Sequence, residues 1–413
     1  MPLVAGSVAD LARLPELRLA LDWFRRERTW INEQHLKLCR VPAPTFLEQK
    51  RAEWMTERFR ELGWDARLDR TGNVVAALPG RRDSATVAVT AHLDTVLAPR
   101  SSEEIKLSGD GRLLGPGVSD NGAGLAALLA LAAAWNAAPP LPEAPLSPLL
   151  IANVGEEGEG NLGGMRYLCR NSNGSRPKAF LVLDGPNTDH ITCRALASRR
   201  FEVTVTGPGG HSWSDYGAGN PVHALSRVIA EFTSADFTSS FTSASGAAAD
   251  PAPRSSFNFG LIQGGTSINC IPTEARAKVD LRSERPERID EMASLLAACV
   301  AQASEAENSR ATGGRVAARL KEIGSRPGGE LQEGAPILSH LLAVDAFLGI
   351  RSRLDCSSTD ANIPLSLGIP AVSIGAGGQG GGAHTAAEWF HPEGRELGLR
   401  RILLALCMLL LAE

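Results

Sequence analysis

The sequence predicts an α/β protein in two parts: a larger domain around a mainly parallel sheet, interrupted by a small ferredoxin-like α/β sandwich. Three observations predict it. Helix-like and strand-like patterns alternate through the first 195 residues; the texture changes at Leu196 to polar/apolar alternation; and five apolar runs end in His, Asp or Glu. At 413 residues the chain exceeds the size at which a single core usually stops growing, so at least two domains are expected.

Residues 16–38 and 46–63 carry helical periodicity. Strands follow near 65–78 and 86–91, then a helix in GAGLAALLALAAAW after Asp120, then strands near 148–154 and 179–184. Such alternation implies a largely parallel sheet with helices on both faces. From Leu196, SRRFEVTVTG reads as a half-exposed strand and NPVHALSRVIAEF as a helix. A Ser/Ala-rich loop from Thr238 to Pro253 precedes the strands SFNFGLIQG and EARAKVDLRS, a helix over 287–305 and the strand RVAARLKEIG. This strand-helix-strand-strand-helix-strand order describes the sandwich. The chain returns to the first domain near Pro327, giving domains at 1–195 with 327–413 and at 196–326. A helix at 336–348, the segment RLDCSSTDANIPLSLGIPAVSIGAGG and a final helix complete the larger one. No internal repeat is visible.

Hydrophobic content of 43% is ample for a core, and a net charge of −4 gives no reason to expect nucleic acid or an anionic membrane as partner. Seven cysteines without a CxxC argue against a disulfide framework; Cys39, Cys169, Cys299 and Cys407 sit in apolar runs, where buried thiols are common. The first residues carry early charges and no long apolar stretch, so no secretory signal is read and cytoplasm is the default expectation. The terminal ILLALCMLLLAE falls short of the roughly 20 residues a membrane span needs, and reads as a packed helix.

The five strand ends are AHLDT with His92 and Asp94, GPGVSDNGAG with Asp120, LLIANVGEEGEG with Glu156 and Glu157, AFLVLDG with Asp184, and AVSIGAGGQGGGAHT with His384. In an open α/β sheet the ligand crevice lies at the carboxyl ends of the strands, where residues distant in sequence converge. Two His and four carboxylates around one point suit a metal such as zinc, and a pair of ions about 3.5–4 Å apart needs a bridging carboxylate. Asp120 is the bridge candidate, because its Gly-rich approach lets backbone come close. Alone, GEEGEG would be a solvated acidic loop, and Glu159 is read that way. The joint order of the pieces, and not any single one, points to the metal site.

These residues, matched in order over nearly the whole chain, resemble the M20 family of metallopeptidases, which spans peptidase T, dipeptidases, aminoacylase and deacylases of N-acyl amino acids. The resemblance implies a zinc-peptidase-like catalytic domain with the insert as lid and homodimer surface. It also implies two divalent ions, zinc first, with cobalt or manganese as alternatives. His92 and Asp184 would hold one ion, Glu157 and His384 the other, with Asp120 bridging and Glu156 as general base. Asp94 would accept the second ring N–H of His92 and fix its tautomer; the alternative is a turn-capping Asp. The residue after the bridge is Asn121, which some members have as Asp, and the Asp120–Asn121 peptide is expected to be cis. In the lid, His211 of GPGGHSW would donate to the oxyanion, often from the partner subunit. Asn269 of GGTSINCIP would contact substrate. Arg282 of VDLRS suits either a substrate carboxylate or a strand-edge salt bridge. His223 is read as structural, and Asp360 with Gly375–Gly382 as a pocket floor whose bare backbone reaches the substrate.

Three functions follow: hydrolysis of short peptides, deacylation of N-acyl amino acids by the same chemistry, or a catalytically silent binding role. The third is disfavoured because every expected ligand and the base are present. SSTDAN and GAHTAAEW resemble the peptidase T-like and dipeptidase branches more than the deacylases.

Overall fold

The computed structural model describes residues 7–81, 84–141, 144–170, 176–235 and 254–412. The Ser/Ala-rich loop expected from Thr238 to Pro253 lies outside the described residues. The chain divides into two compact units, Met1–Ala195 with Gly329–Glu413, and Leu196–Gly328.

The first unit is built on a nine-stranded mixed sheet. Its centre is four parallel strands in the order Ser147–Asn153, Thr86–His92, Ala179–Leu183 and Ala371–Ile374. All residues of Thr86–His92 and Ala179–Leu183 are buried, as expected of parallel strands covered on both faces, and their sequences are accordingly continuous apolar runs. The margins are not parallel. Residues 65–78 form a hairpin, Asp65–Leu68 against Val74–Ala77, which joins the sheet antiparallel to Ser147–Asn153. On the other side His190–Ala195 meets Ala371–Ile374 antiparallel and pairs in parallel with Arg353–Ser357.

The expected helix over 16–38 is two, Pro15–Arg26 and Arg28–Cys39, because Glu27 leaves the helical backbone at φ −98°, ψ 22°. Apolar periodicity runs through the break and gives no sign of it. The helix expected from 46 begins at Gln49, since Pro44–Leu47 is a turn closed by the Leu47 N–H on the Pro44 carbonyl. Helices Gly122–Ala137 and Arg395–Leu410 are buried nearly all round, which accounts for their unbroken apolar composition. Among the described residues no helix is long and apolar enough to cross a membrane.

The second unit is an antiparallel sheet in the order Ser255–Gly264, Glu274–Ser283, Ala197–Thr206, Ala317–Arg326, packed against helices Pro221–Ser234 and Pro286–Arg310. Burial alternates along Glu274–Ser283, so Ala275, Ala277, Val279 and Leu281 face the helices. This is the ferredoxin-like sandwich that the element order predicts.

One buried ion pair ties two helices of the first unit. Arg401 of Arg395–Leu410 donates to both oxygens of Asp345, on Pro336–Leu348, at 2.6 Å each. Both side chains are essentially inaccessible. Arg401→Leu alone should destabilise the protein by about 3–5 kcal/mol by stranding a buried carboxylate, whereas Arg401→Leu with Asp345→Leu should recover most of that loss. Urea unfolding midpoints check both.

Candidate metal centre

The carboxyl ends of the central parallel strands deliver the candidate ligands. His92 is the last residue of Thr86–His92, Glu156 and Glu157 follow Ser147–Asn153, and Asp184 follows Ala179–Leu183. His384 comes from the loop after Ala371–Ile374, with a left-handed backbone at φ 64°. Asp120 lies just before the helix Gly122–Ala137, and its bond to Asn121 is cis, as expected.

Asp120 turns its two oxygens to two different imidazoles. Oδ1 is 3.0 Å from His92 Nε2, and Oδ2 is 3.1 Å from His384 Nε2. Donor atoms of His92, Asp120 and Asp184 all lie within 4.8 Å of one another, and so do those of Asp120, Glu157 and His384. Asp120 belongs to both sets. His92, Glu156 and Glu157 form a third set of the same tightness, and His384 Nε2 reaches Glu157 Oε1 at 2.9 Å.

The electrostatics ask for cations. Burial and the neighbouring charge of Asp120 push Asp184 up to about 7. Burial opposes ionisation of Asp120, yet the two imidazoles hold its carboxyl low. Hydrogen bonds to Asp120 and Glu157 lift His384 to about 10. Burial opposes charge on His92, but its bonds to Asp120 and Asp94 prevail and raise it. Carboxylates crowded out of water repel one another unless positive charge sits among them. The His92 Nδ1 bonds the Asp94 backbone carbonyl at 2.9 Å; a carbonyl only accepts, so Nδ1 carries hydrogen and Nε2 would be the nitrogen to hold an ion. Imidazole nitrogen with carboxylate oxygen in two adjoining sets fits two borderline divalent ions.

Asp94 follows the turn-capping alternative. Its carboxylate is 3.6 Å from His92 Nδ1, and the closer partner is its own backbone carbonyl. The carboxylate instead accepts the Glu156 N–H at 3.0 Å, the Glu157 N–H at 2.9 Å and the Thr45 hydroxyl at 3.0 Å. It caps the turn that carries the two glutamates while orienting the imidazole through its main chain. Glu48 takes the preceding N–H, from Gly155, at 3.1 Å.

Two further holders were not singled out from sequence for these roles. Buried Glu388 accepts the N–H groups of Gly117, Ser119 and Asp120 at 2.8, 2.7 and 2.8 Å, so one carboxylate fixes the loop that presents Asp120. Its only signal was a lone acid in the apolar stretch AAEWF. Asn121 donates to the Leu183 carbonyl at 2.8 Å and accepts from Gly124 and Gly185 N–H groups, tying the Asp120 loop to the strand end bearing Asp184. An ionised Asp there could not make the first of these bonds.

The glycines of 375–382 lie hard against neighbouring protein. A Cβ on Gly375 would collide with the Asn187 carbonyl and one on Gly380 with the Ser119 hydroxyl, so they admit neighbouring chain. Asp360 is buried and accepts from Asn153 Nδ2 at 2.6 Å. In the second unit, His211 and Asn269 share one corner: strand Gly210–His211 pairs with Cys270–Ile271, and the Ser212 N–H donates to the Asn269 carbonyl. His211 Nδ1 accepts the N–H groups of Trp213 and Ser214, which puts the ring hydrogen on the exposed Nε2. Arg282 is elsewhere. It lies eight residues along Glu274–Ser283 from the Glu274 end, about 26 Å at strand rise, and its Nε bonds Asp280 at 2.6 Å. The salt-bridge alternative describes it, not a place beside Asn269. His223 bonds Arg310 at 2.8 Å, a structural contact.

Two family models match the chain: a peptidase dimerisation domain over residues 197–308, and peptidase family M28 over residues 73–207. The uncharacterized protein YqjE of Bacillus subtilis (strain 168) is 24% identical over 84% of this chain and 89% of its own length. A succinyl-diaminopimelate desuccinylase of Paracoccus denitrificans (strain Pd 1222) is 28% identical over 57% of this chain and 63% of its own. Among solved structures, aminopeptidase PepT from Bacillus cereus superposes with a TM-score of 0.67 at 20% identity, covering 92% of this chain and 98% of that one. A tripeptidase from Staphylococcus aureus gives 0.71 at 19% identity, with the same coverage. The matched dimerisation domain and the shared architecture support a hydrolase of the metal-dependent peptidase or amidohydrolase type, similar to the M20 family and with a peptidase T-like fold.

Proposed function

We propose that the protein hydrolyses amide bonds of short peptides, with His92 and Asp184 holding one divalent ion, Glu157 and His384 a second, and Asp120 bridging them. The observation that carries this reading is Asp120 offering one oxygen towards His92 and the other towards His384. When bound, the ions supply Lewis acidity towards a water and the scissile carbonyl, with zinc the first choice and cobalt or manganese also suited to the donors. Glu156 accepts the proton of the attacking water and passes it to the leaving amine. Asp94 contributes by holding both glutamates through their N–H groups. His211 presents a fixed Nε2–H, the kind of donor that a developing oxyanion requires.

Peptides are favoured by the architecture shared over nearly the whole chain with PepT and the tripeptidase. The second reading, removal of an acyl group from an amino acid, is supported by the similarity to a desuccinylase. The dimerisation-domain match supports a homodimer through the second unit. A panel of di- and tripeptides beside N-acetyl amino acids, assayed with zinc-, cobalt- and manganese-loaded protein, separates the two readings: peptide turnover supports the first, and exclusive N-acetyl turnover replaces it with the second.

Glu156→Gln should lower kcat by about 10²–10⁴ with metal content retained, whereas Glu157→Ala should lose metal; elemental analysis beside the rate distinguishes the two. Equal metal loss in both would remove the division of roles.

Chelation should abolish turnover, and readdition of zinc, cobalt or manganese should restore it. Asp120→Ala should then bind fewer ions per chain than the loss of a single terminal ligand causes, because a bridge serves both positions. Competition titration with a chromogenic chelator reads the stoichiometry.

A further inference from the structure

The turn Pro44–Leu47 places two large apolar side chains in water beside the glutamate loop. Phe46 is 68% exposed and Leu47 69%. The turn closes with the Leu47 N–H on the Pro44 carbonyl at 2.8 Å, and Phe46, its third residue, has φ 74°. A third turn position with positive φ favours glycine, and a bulky residue there is an outlier whose conformation the surroundings must enforce.

Both sides of Phe46 are fastened to the candidate metal centre. Thr45 donates to Asp94 Oδ2, the oxygen that also accepts the Glu157 N–H, and Glu48 accepts the N–H of Gly155. Glu48 thus grips the loop carrying Glu156 and Glu157 directly and Thr45 does so through Asp94, while the two residues between them stay exposed. Alongside runs the segment after Asp94: Pro44 bridges Thr95 in parallel, and the Thr95 N–H bonds the Ala43 carbonyl at 3.0 Å. That segment continues into Val96 and Leu97, exposed by 44% and 42%. Scattered exposed apolar residues need no explanation, but four on two joined turns that are hydrogen-bonded to the catalytic loop form a lip.

We propose that Phe46 and Leu47, with Val96 and Leu97, form an apolar subsite that selects substrates with a large aliphatic or aromatic side chain next to the scissile amide. The occupant is a side chain rather than a whole protein, because the lip is two short turns anchored to residues that carry the chemistry. This rests on the peptide-hydrolase reading above, and it names the substrate class.

Phe46→Gly is the decisive variant, since glycine suits φ 74° and removes the ring without threatening the turn. In wild type, kcat/KM for Leu-Gly should exceed that for Gly-Gly, and Phe46→Gly should shrink this ratio by about tenfold, in line with what an apolar pocket contributes to selectivity. Phe46→Leu should restore most of it. The thermal midpoint and metal content of Phe46→Gly report folding independently. The affinities of metal-loaded Glu156→Gln for Leu-Gly and Gly-Gly, measured calorimetrically with and without Phe46→Gly, read the lip in the absence of turnover. An unchanged ratio in both measurements overturns the subsite, as does a Phe46→Gly effect confined to oligomeric state. A wild type that hydrolyses no peptide overturns the functional reading alone, leaving the affinity ratio to decide the lip.

Discussion

The buried carboxylate of Asp94, accepting the N–H groups of Glu156 and Glu157, is the interaction on which the rest of the centre depends. Two adjacent glutamates that follow a buried strand need their backbone donors satisfied, and with little water there the acceptor must come from the protein. Asp94 supplies it from the neighbouring strand end, two residues beyond His92. One side chain therefore fixes the glutamate turn, and its main-chain carbonyl sets the tautomer of the imidazole. Glu388 repeats the device on the opposite flank, where it takes three N–H groups of the Asp120 loop. In both cases a buried carboxylate satisfies the backbone donors of the loop that presents a candidate ligand.

That division explains the charge pattern. Asp120, Asp184, Glu156 and Glu157 converge with only His92 and His384 among them in these ligand sets, and burial with like charge pushes Asp184 up to about 7. Asp94 and Asp120 are held low by hydrogen bonds that outweigh their burial. A cluster of this kind costs folding free energy in the free protein and recovers it when divalent ions bind, since ligand binding to the native state stabilises it.

How much of this was legible in the sequence depends on what each residue does. His92, Asp120, Glu157, Asp184 and His384 could be named because each stands where an apolar run or a glycine-rich turn ends, and the parallel strands then bring those ends together. The sandwich was legible because alternation and element order leave few topologies open. The supporting residues were not. Glu48 and Glu388 act on the backbone of segments remote in sequence and Thr45 on the Asp94 side chain, and no local pattern specifies which partners these groups will meet. The glycines at 375–382 looked ready for a ligand, whereas several make room for neighbouring protein. Arg282 was placed on its strand by alternation, but alternation does not reveal that Asp280, two residues before it on the same face, is its partner. The break at Glu27 is a backbone event within an unbroken apolar pattern.

The most direct test of the account is anomalous diffraction at the zinc edge from crystals of the metal-loaded protein. The account requires two peaks, one on each side of the Asp120 carboxylate, the first against His92 and Asp184 and the second against Glu157 and His384. A single peak, or peaks that do not touch Asp120, would contradict it.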